Sequence, residues 1–160
     1  MALDAEEIYK IGMELYDLTK HEAAFNWFME AANMGSQWAP MMLGDMYYTG
    51  NGVAIDYEAA LSWYLKAAEL GDSEAMYNIA CQYEKGRGVQ QSYVEAAKYY
   101  TQSATLGYLG AQQELARLYS TGLGVTKNPQ KRVYWLKKAA LQGDPHAAQE
   151  LDYLGITDFD

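Results

Sequence analysis

One cysteine, Cys81, stands in 160 residues, so no disulfide can form within the chain. Histidine is nearly as scarce. His21 and His146 are the only two and lie far apart, which leaves neither with a second histidine to complete a metal site. Basic residues number 12 against 21 acidic ones, for a net charge of −9, and this balance disfavours generic nucleic-acid binding. No apolar run approaches the roughly 18 residues that a membrane span needs. The start, Met1-Ala2-Leu3-Asp4-Ala5-Glu6-Glu7, lacks the basic opening and apolar stretch of a signal peptide, so a cytoplasmic location is expected. No stretch carries a strand signal. What remains is ample for a packed core: half the residues are apolar and 14% are aromatic. The acidity is uneven. Residues 1–80 hold 13 acidic and 3 basic side chains, net −10, whereas residues 81–160 hold 8 and 9, net +1.

Compared with itself at fixed offsets, the chain repeats every 36 residues. Gly35, Gly71, Gly107 and Gly143 keep this step, as do Trp27, Trp63, Tyr99 and Trp135, and so do Ala39, Ala75, Ala111 and Ala147. Leu43, Ile79, Leu115 and Leu151 form a further column, and Tyr47, Tyr83 and Tyr119 another. Gly50-Asn51-Gly52-Val53 recurs as Gly86-Arg87-Gly88-Val89 and Gly122-Leu123-Gly124-Val125. Within a period, Ala39, Leu43 and Tyr47 share one helix face, as do Ala24, Phe28 and Ala32 in the helix before. Each unit is therefore a helix pair. The glycines of the first column end the second helix of each pair, and the Gly-x-Gly-Val loop joins the first helix to the second.

First helices are expected near 4–18, 37–49, 73–86 and 109–121, second helices near 21–34, 57–70, 93–106 and 129–142, and a closing helix at 145–154. Ser92 with Glu95 reads as a capping box, and Asn128-Pro129 and Asp144-Pro145 as caps before a first-turn proline. The expected organisation is one repeat domain over 1–160: a variant pair at 4–36, repeats at 37–72, 73–108 and 109–144, and a capping helix at 145–154. The first pair lacks the glycine loop, as a terminal unit can. Trp63, Tyr83 and Leu115 are expected to be buried.

The pattern Ala39, Leu43-Gly44, Tyr47, Gly50-x-Gly52-Val53, Asp56, Ala59-Ala60, Trp63-Tyr64-x-Lys66-Ala67-Ala68, Gly71 resembles the Sel-1-like repeat, a relative of the tetratricopeptide repeat. The resemblance covers residues 37 to about 151 strongly and 4–36 more loosely. It implies an all-α, right-handed solenoid of helix-turn-helix repeats that acts as an adaptor or scaffold for other proteins, with no shared catalytic residues and no cofactor. One branch of the family is secreted and staples its helix pairs with cysteines; this chain departs from that branch.

Opposite the face of Ala39, Leu43 and Tyr47 lies a stripe expected to meet water, and the resemblance implies that it lines a concave groove. It comprises Glu6, Tyr9, Met13 and Tyr16; Trp38, Met41, Asp45 and Tyr48; Glu74, Tyr77, Cys81 and Glu84; Gly110, Gln113, Arg117 and Ser120; then His146, Gln149 and Tyr153. Six of its first eight positions are Tyr, Met or Trp, residue types enriched at binding hot spots. The bland reading is that some of them pack on neighbouring helices. Glu6, Asp45, Glu74 and Glu84 interleave with the aromatics and favour a partner with a basic surface.

Other motifs carry no chemistry. His21-Glu22-Ala23-Ala24-Phe25 begins like a zinc-protease helix, but Phe25 stands where the second ligand belongs. The glycine loops follow helices and lack a phosphate-binding lysine. Cys81 has no evident activating base, and Lys127, Lys131, Arg132, Lys137 and Lys138 read as a solvated outer face. The leading expectation is a non-catalytic module that binds a protein or peptide as a monomer, in its most concrete form a bacterial immunity or inhibitor protein for a basic toxin. A signalling or assembly adaptor is the alternative. Some relatives of the family have been described as β-lactam-binding or hydrolysing, yet no Ser-x-x-Lys stands in a suitable context here. A self-assembling structural protein is a third choice.

Overall fold

Nine helices account for the regular structure of the described residues, 2–157, of a computed structural model. They are α1 Ala5–Asp17, α2 His21–Asn33, α3 Ala39–Thr49, α4 Tyr57–Glu69, α5 Ser73–Lys85, α6 Tyr93–Thr105, α7 Leu109–Thr121, α8 Pro129–Leu141 and α9 Pro145–Tyr153. No expected end is displaced by more than two residues. The two ends of the expected 1–160 domain, residue 1 and residues 158–160, lie outside the described residues.

The helix starts are fixed by a repeating cap. Asp56 Oδ1 accepts from the Ala59 N–H and Asn128 Oδ1 from the Lys131 N–H, each at 2.9 Å, and so satisfies a first-turn donor. Ser92 takes the same place, its Oγ accepting from the Glu95 N–H at 3.2 Å. The reciprocal half of the expected capping box is not made there, because the Glu95 carboxylate turns to Lys98 instead. The complete box is at the start of α1. Asp4 Oδ1 accepts from the Glu7 N–H at 2.9 Å, and Glu7 Oε2 accepts from the Asp4 N–H at 3.0 Å.

The second glycine of each Gly-x-Gly-Val loop is dictated by close approach. A Cβ at Gly52 would lie 2.4 Å from the His21 carbonyl carbon, one at Gly88 2.4 Å from that of Tyr57, and one at Gly124 2.0 Å from the Tyr93 oxygen. Each loop thus rests directly on the first residue of the preceding pair's second helix. The left-handed φ of 77°, 67° and 69° adds a second reason for glycine. The turn between α1 and α2 is shorter, and there a non-glycine residue, Thr19, takes φ 60°.

The chain divides into two compact units, one running up to Ala75 together with Arg87–Gln90, the other comprising Met76–Gly86 and Gln91 onward. In the first unit, Ile8, Ala24, Phe28, Ala31, Ala39, Leu43 and Met46 form one buried cluster. Gly12 and Gly44 let their helices approach the rings of Phe28 and Tyr64, where an added Cβ would come within 2.7 and 2.5 Å. In the second unit the core gathers Ala80, Ala96, Tyr100, Ala111, Leu115 and Leu118, with Leu136, Ala139, Ala147 and Leu151 beside α9. Leu115 is fully buried as expected, but Trp63 and Tyr83 are only half-buried. The deepest aromatics are one residue further along, at Phe28, Tyr64 and Tyr100. Each points at its partner first helix, while the Trp column packs at the rim of the core.

A candidate protein-binding face

The expected stripe is narrower than the sequence pattern suggests. At 100° per residue, Met41 and Tyr48 lie about 60–80° round the helix from Trp38, toward the second helix of the same pair, whereas Asp45 is only about 20° away. Burial follows this angle. Trp38 is 50% exposed, Glu6 is exposed, and Met41, expected to meet water, is buried at 9%. The remaining aromatics are half-buried against their own pair. Tyr9 meets Phe28 at 5.6 Å between ring centroids, Tyr16 meets His21 at 4.7 Å, and Tyr48 meets Tyr57 at 5.2 Å. The bland reading thus holds for one edge of the stripe, and the other edge stays open.

On the open edge of the first unit, Asp45 is the central polar group. The buried Tyr64 hydroxyl donates to its Oδ1 at 2.7 Å. Burial raises the Asp45 carboxyl above its ordinary range; the Tyr64 hydrogen bond opposes that shift, and the charges of Glu74 and Asp72 add to it. No Lys or Arg pairs with Asp45 within 4.0 Å among the described residues. Tyr64 is itself held protonated, first by burial and then by the Asp45 charge, so it remains a donor. Burial, reinforced by Asp72, raises Tyr9 as well. Arg87, from the loop segment of this unit, donates to the Tyr48 hydroxyl and lies over the Tyr48 and Tyr57 rings at 5.5 and 5.4 Å.

The second unit places a different chemistry at the same positions. Tyr100, 36 residues after Tyr64, donates to Glu84 Oε2 at 2.9 Å, and Cys81 Sγ lies 3.3 Å from the same hydroxyl. Arg117 closes the network, reaching Glu84 Oε1 and Glu114 Oε2 at 2.6 Å each. Burial works against the Arg117 charge, but Glu114 and Glu84 outweigh it and hold its pKa raised. Tyr77, expected on the open stripe, packs between Tyr100 and Tyr108 at 5.5 and 5.1 Å. His146 is exposed and lines an open cleft of 280 Å³ with Gln113, Arg117 and Ser120.

The structure therefore brings Tyr9, Trp38, Asp45, Tyr48 and Glu74 into the first unit and leaves Tyr77 and Glu84 in the second. Sequence reasoning missed the roles of Tyr64, Asp72 and Arg87. The 19-residue spacing from Asp45 to Tyr64 repeats as Cys81 to Tyr100, which signals that the tyrosine must find a second acceptor there. Arg132, read as part of a solvated outer face, instead pairs with Glu150 of α9. Among the described residues no set of three His, Cys, Asp or Glu side chains gathers to hold a metal, and no helix is long and apolar enough to cross a membrane.

Known proteins place this arrangement in a family. The Sel1 repeat family matches residues 8–36, 41–72, 73–108 and 110–144. A protective antigen present in uropathogenic Escherichia coli strains, displaying an SLR fold, is 32% identical, with TM-score 0.87 over 96% of this chain and 34% of its own. A Sel1 repeat protein from Oxalobacter formigenes is 35% identical, with TM-score 0.84 over 88% of this chain and 58% of its own. The chain thus spans about a third of the first structure and less than two thirds of the second. Helicobacter pylori cysteine rich protein B shares the fold at 22% identity and TM-score 0.66, covering 82% of this chain and 95% of its own. No curated protein matches the sequence. Sel1-repeat proteins are in general non-catalytic scaffolds for protein–protein interaction. With four matched repeats and an all-α, solenoid-class fold, the chain belongs to the Sel1 repeat family.

Proposed function

We propose that the protein is a non-catalytic interaction module whose partner docks on the open edge of the first helices, and most concretely that it is a bacterial immunity or inhibitor protein for a basic toxin. The observation that carries this reading is Trp38: a tryptophan 50% exposed on the face that also carries Asp45. A large aromatic beside carboxylates suits an anchor that desolvates on binding while the net −10 of residues 1–80 steers a basic surface toward it. In the same unit Glu74 is exposed, Tyr9, Met13, Tyr16 and Tyr48 are half-buried and Met41 is buried, with Tyr77 and Glu84 at the corresponding positions of the second unit. An assembly adaptor is the second reading, favoured by similarity to longer repeat proteins of which this chain covers 34% and 58%.

The test is capture from the native host with wild-type and Trp38→Ala baits, followed by titration of the purified partner. Trp38→Ala is expected to cost about 2 kcal/mol or more of binding with little change in melting temperature. Retained affinity in Trp38→Ala, with loss on Lys131→Glu and Lys138→Glu, would move the binding surface to the outer face of α8.

A further inference from the structure

We infer that the open edge of the first unit is an arginine-reading surface: a guanidinium presented by the partner seats on Asp45 of α3. This rests on the proposed docking face and names the chemistry that the face selects.

Two independent observations carry it. One is charge complementarity on a face that is otherwise aromatic. Asp45 spends one carboxylate oxygen on Tyr64, carries no ion pair from the described chain, and stands near Asp72 and Glu74, so the edge is negative around an incompletely occupied acceptor. The other is the molecule's own handling of arginine. At the position two repeats after Asp45, Arg117 fills the same helix register and spans two carboxylates at 2.6 Å each. Within the first unit, Arg87 stacks over Tyr48 and Tyr57 at 5.5 and 5.4 Å while donating to a tyrosine hydroxyl. These repeats thus hold guanidinium on carboxylates at Arg117 and on tyrosines at Arg87, and no arginine of the described residues pairs with Asp45. A guanidinium fits better than an ammonium, being planar, more weakly hydrated and able to stack on a ring while bonding a carboxylate. A metal ion does not fit, since the acids do not converge as a ligand set.

The probe is Nα-acetyl-arginine methylamide, titrated into the isotopically labelled full chain and followed by two-dimensional NMR, beside the citrulline and lysine analogues. The arginine probe is expected to give saturable shifts centred on Asp45 and its neighbours on α3, with weak, millimolar affinity, as a lone side chain would. Citrulline, which is nearly isosteric but uncharged, should shift them at least about tenfold less, and Asp45→Asn, which keeps an acceptor for Tyr64, should remove the response. Lysine binding as tightly as arginine, equal shifts with citrulline, no saturable shift, or an unaltered response in Asp45→Asn each overturn the inference. A partner whose binding is lost in Trp38→Ala yet unchanged in Asp45→Asn would leave the docking face standing and remove the arginine anchor.

Discussion

Tyr64 and Tyr100 occupy one position in two repeats, are both buried, and both need an acceptor for a hydroxyl. The first unit supplies Asp45, 19 residues earlier; the second has Cys81 there and uses Glu84, three residues on, where the first has Tyr48. The repeat therefore demands that the hydroxyl be satisfied and leaves open which carboxylate does it. Compensation of that carboxylate is where the units part. Arg117 neutralises Glu84, whereas Asp45 sits beside further acids. The first unit thus keeps a carboxylate without an ion pair where the second has one.

The comparison can be broken most forcefully through the helix glycine. Gly44→Ala puts a Cβ 2.5 Å from the Tyr64 ring, and that ring, 1% exposed, has nowhere to turn. A loss of about 3 kcal/mol in chemical denaturation is expected, against about 1 kcal/mol for the reverse change, Ala80→Gly, in the second unit. Next comes the hydroxyl. Tyr64→Phe leaves a half-buried carboxylate without its donor and should cost about 2 kcal/mol at neutral pH, while Tyr100→Phe should cost about half as much because Glu84 keeps Arg117. Near pH 3 the two should converge, since a protonated Asp45 is no longer a stranded charge.

Arg117→Gln makes the second unit resemble the first. It should cost about 1 kcal/mol at low ionic strength and less in high salt, because Arg117 is partly open to solvent. The smallest effect has the opposite sign. Asp45 has a raised folded-state pKa, so its favourable contribution is present below the unfolded pKa and is lost as pH rises through the folded value. Ionised Asp45 therefore costs stability at pH 7, and Asp45→Asn should raise the melting temperature by about 2 °C there and by nothing near pH 3.

Much of the fold was legible because it is written four times. A 36-residue period fixes helix phase, so caps such as Asn128 and Asp144 and the loops at Gly52 and Gly124 fall into place together. Legibility failed where contact depends on side-chain reach across a pair. Helical periodicity put Met41 and Trp38 on one stripe, although the 60° between them is enough to bury one and expose the other. Periodicity likewise assigned burial to Trp63 when the following residue, Tyr64, points at the glycine that makes room for it. The candidate face was visible as a run of aromatics. The hydrogen bond that makes Asp45 its centre was not, because Asp45 and Tyr64 are joined only by the packing of α3 on α4.

The central claim is that Asp45 is a carboxylate left uncompensated by its own chain. A carbon-13 titration of the Asp45 carboxyl in the full 160-residue chain tests it directly. The midpoint should lie above the ordinary aspartate value of about 3.9 in the free protein and fall when Nα-acetyl-arginine methylamide is added. A midpoint at or below that value in the free protein would mean that the chain already supplies the missing cation, and would contradict the account.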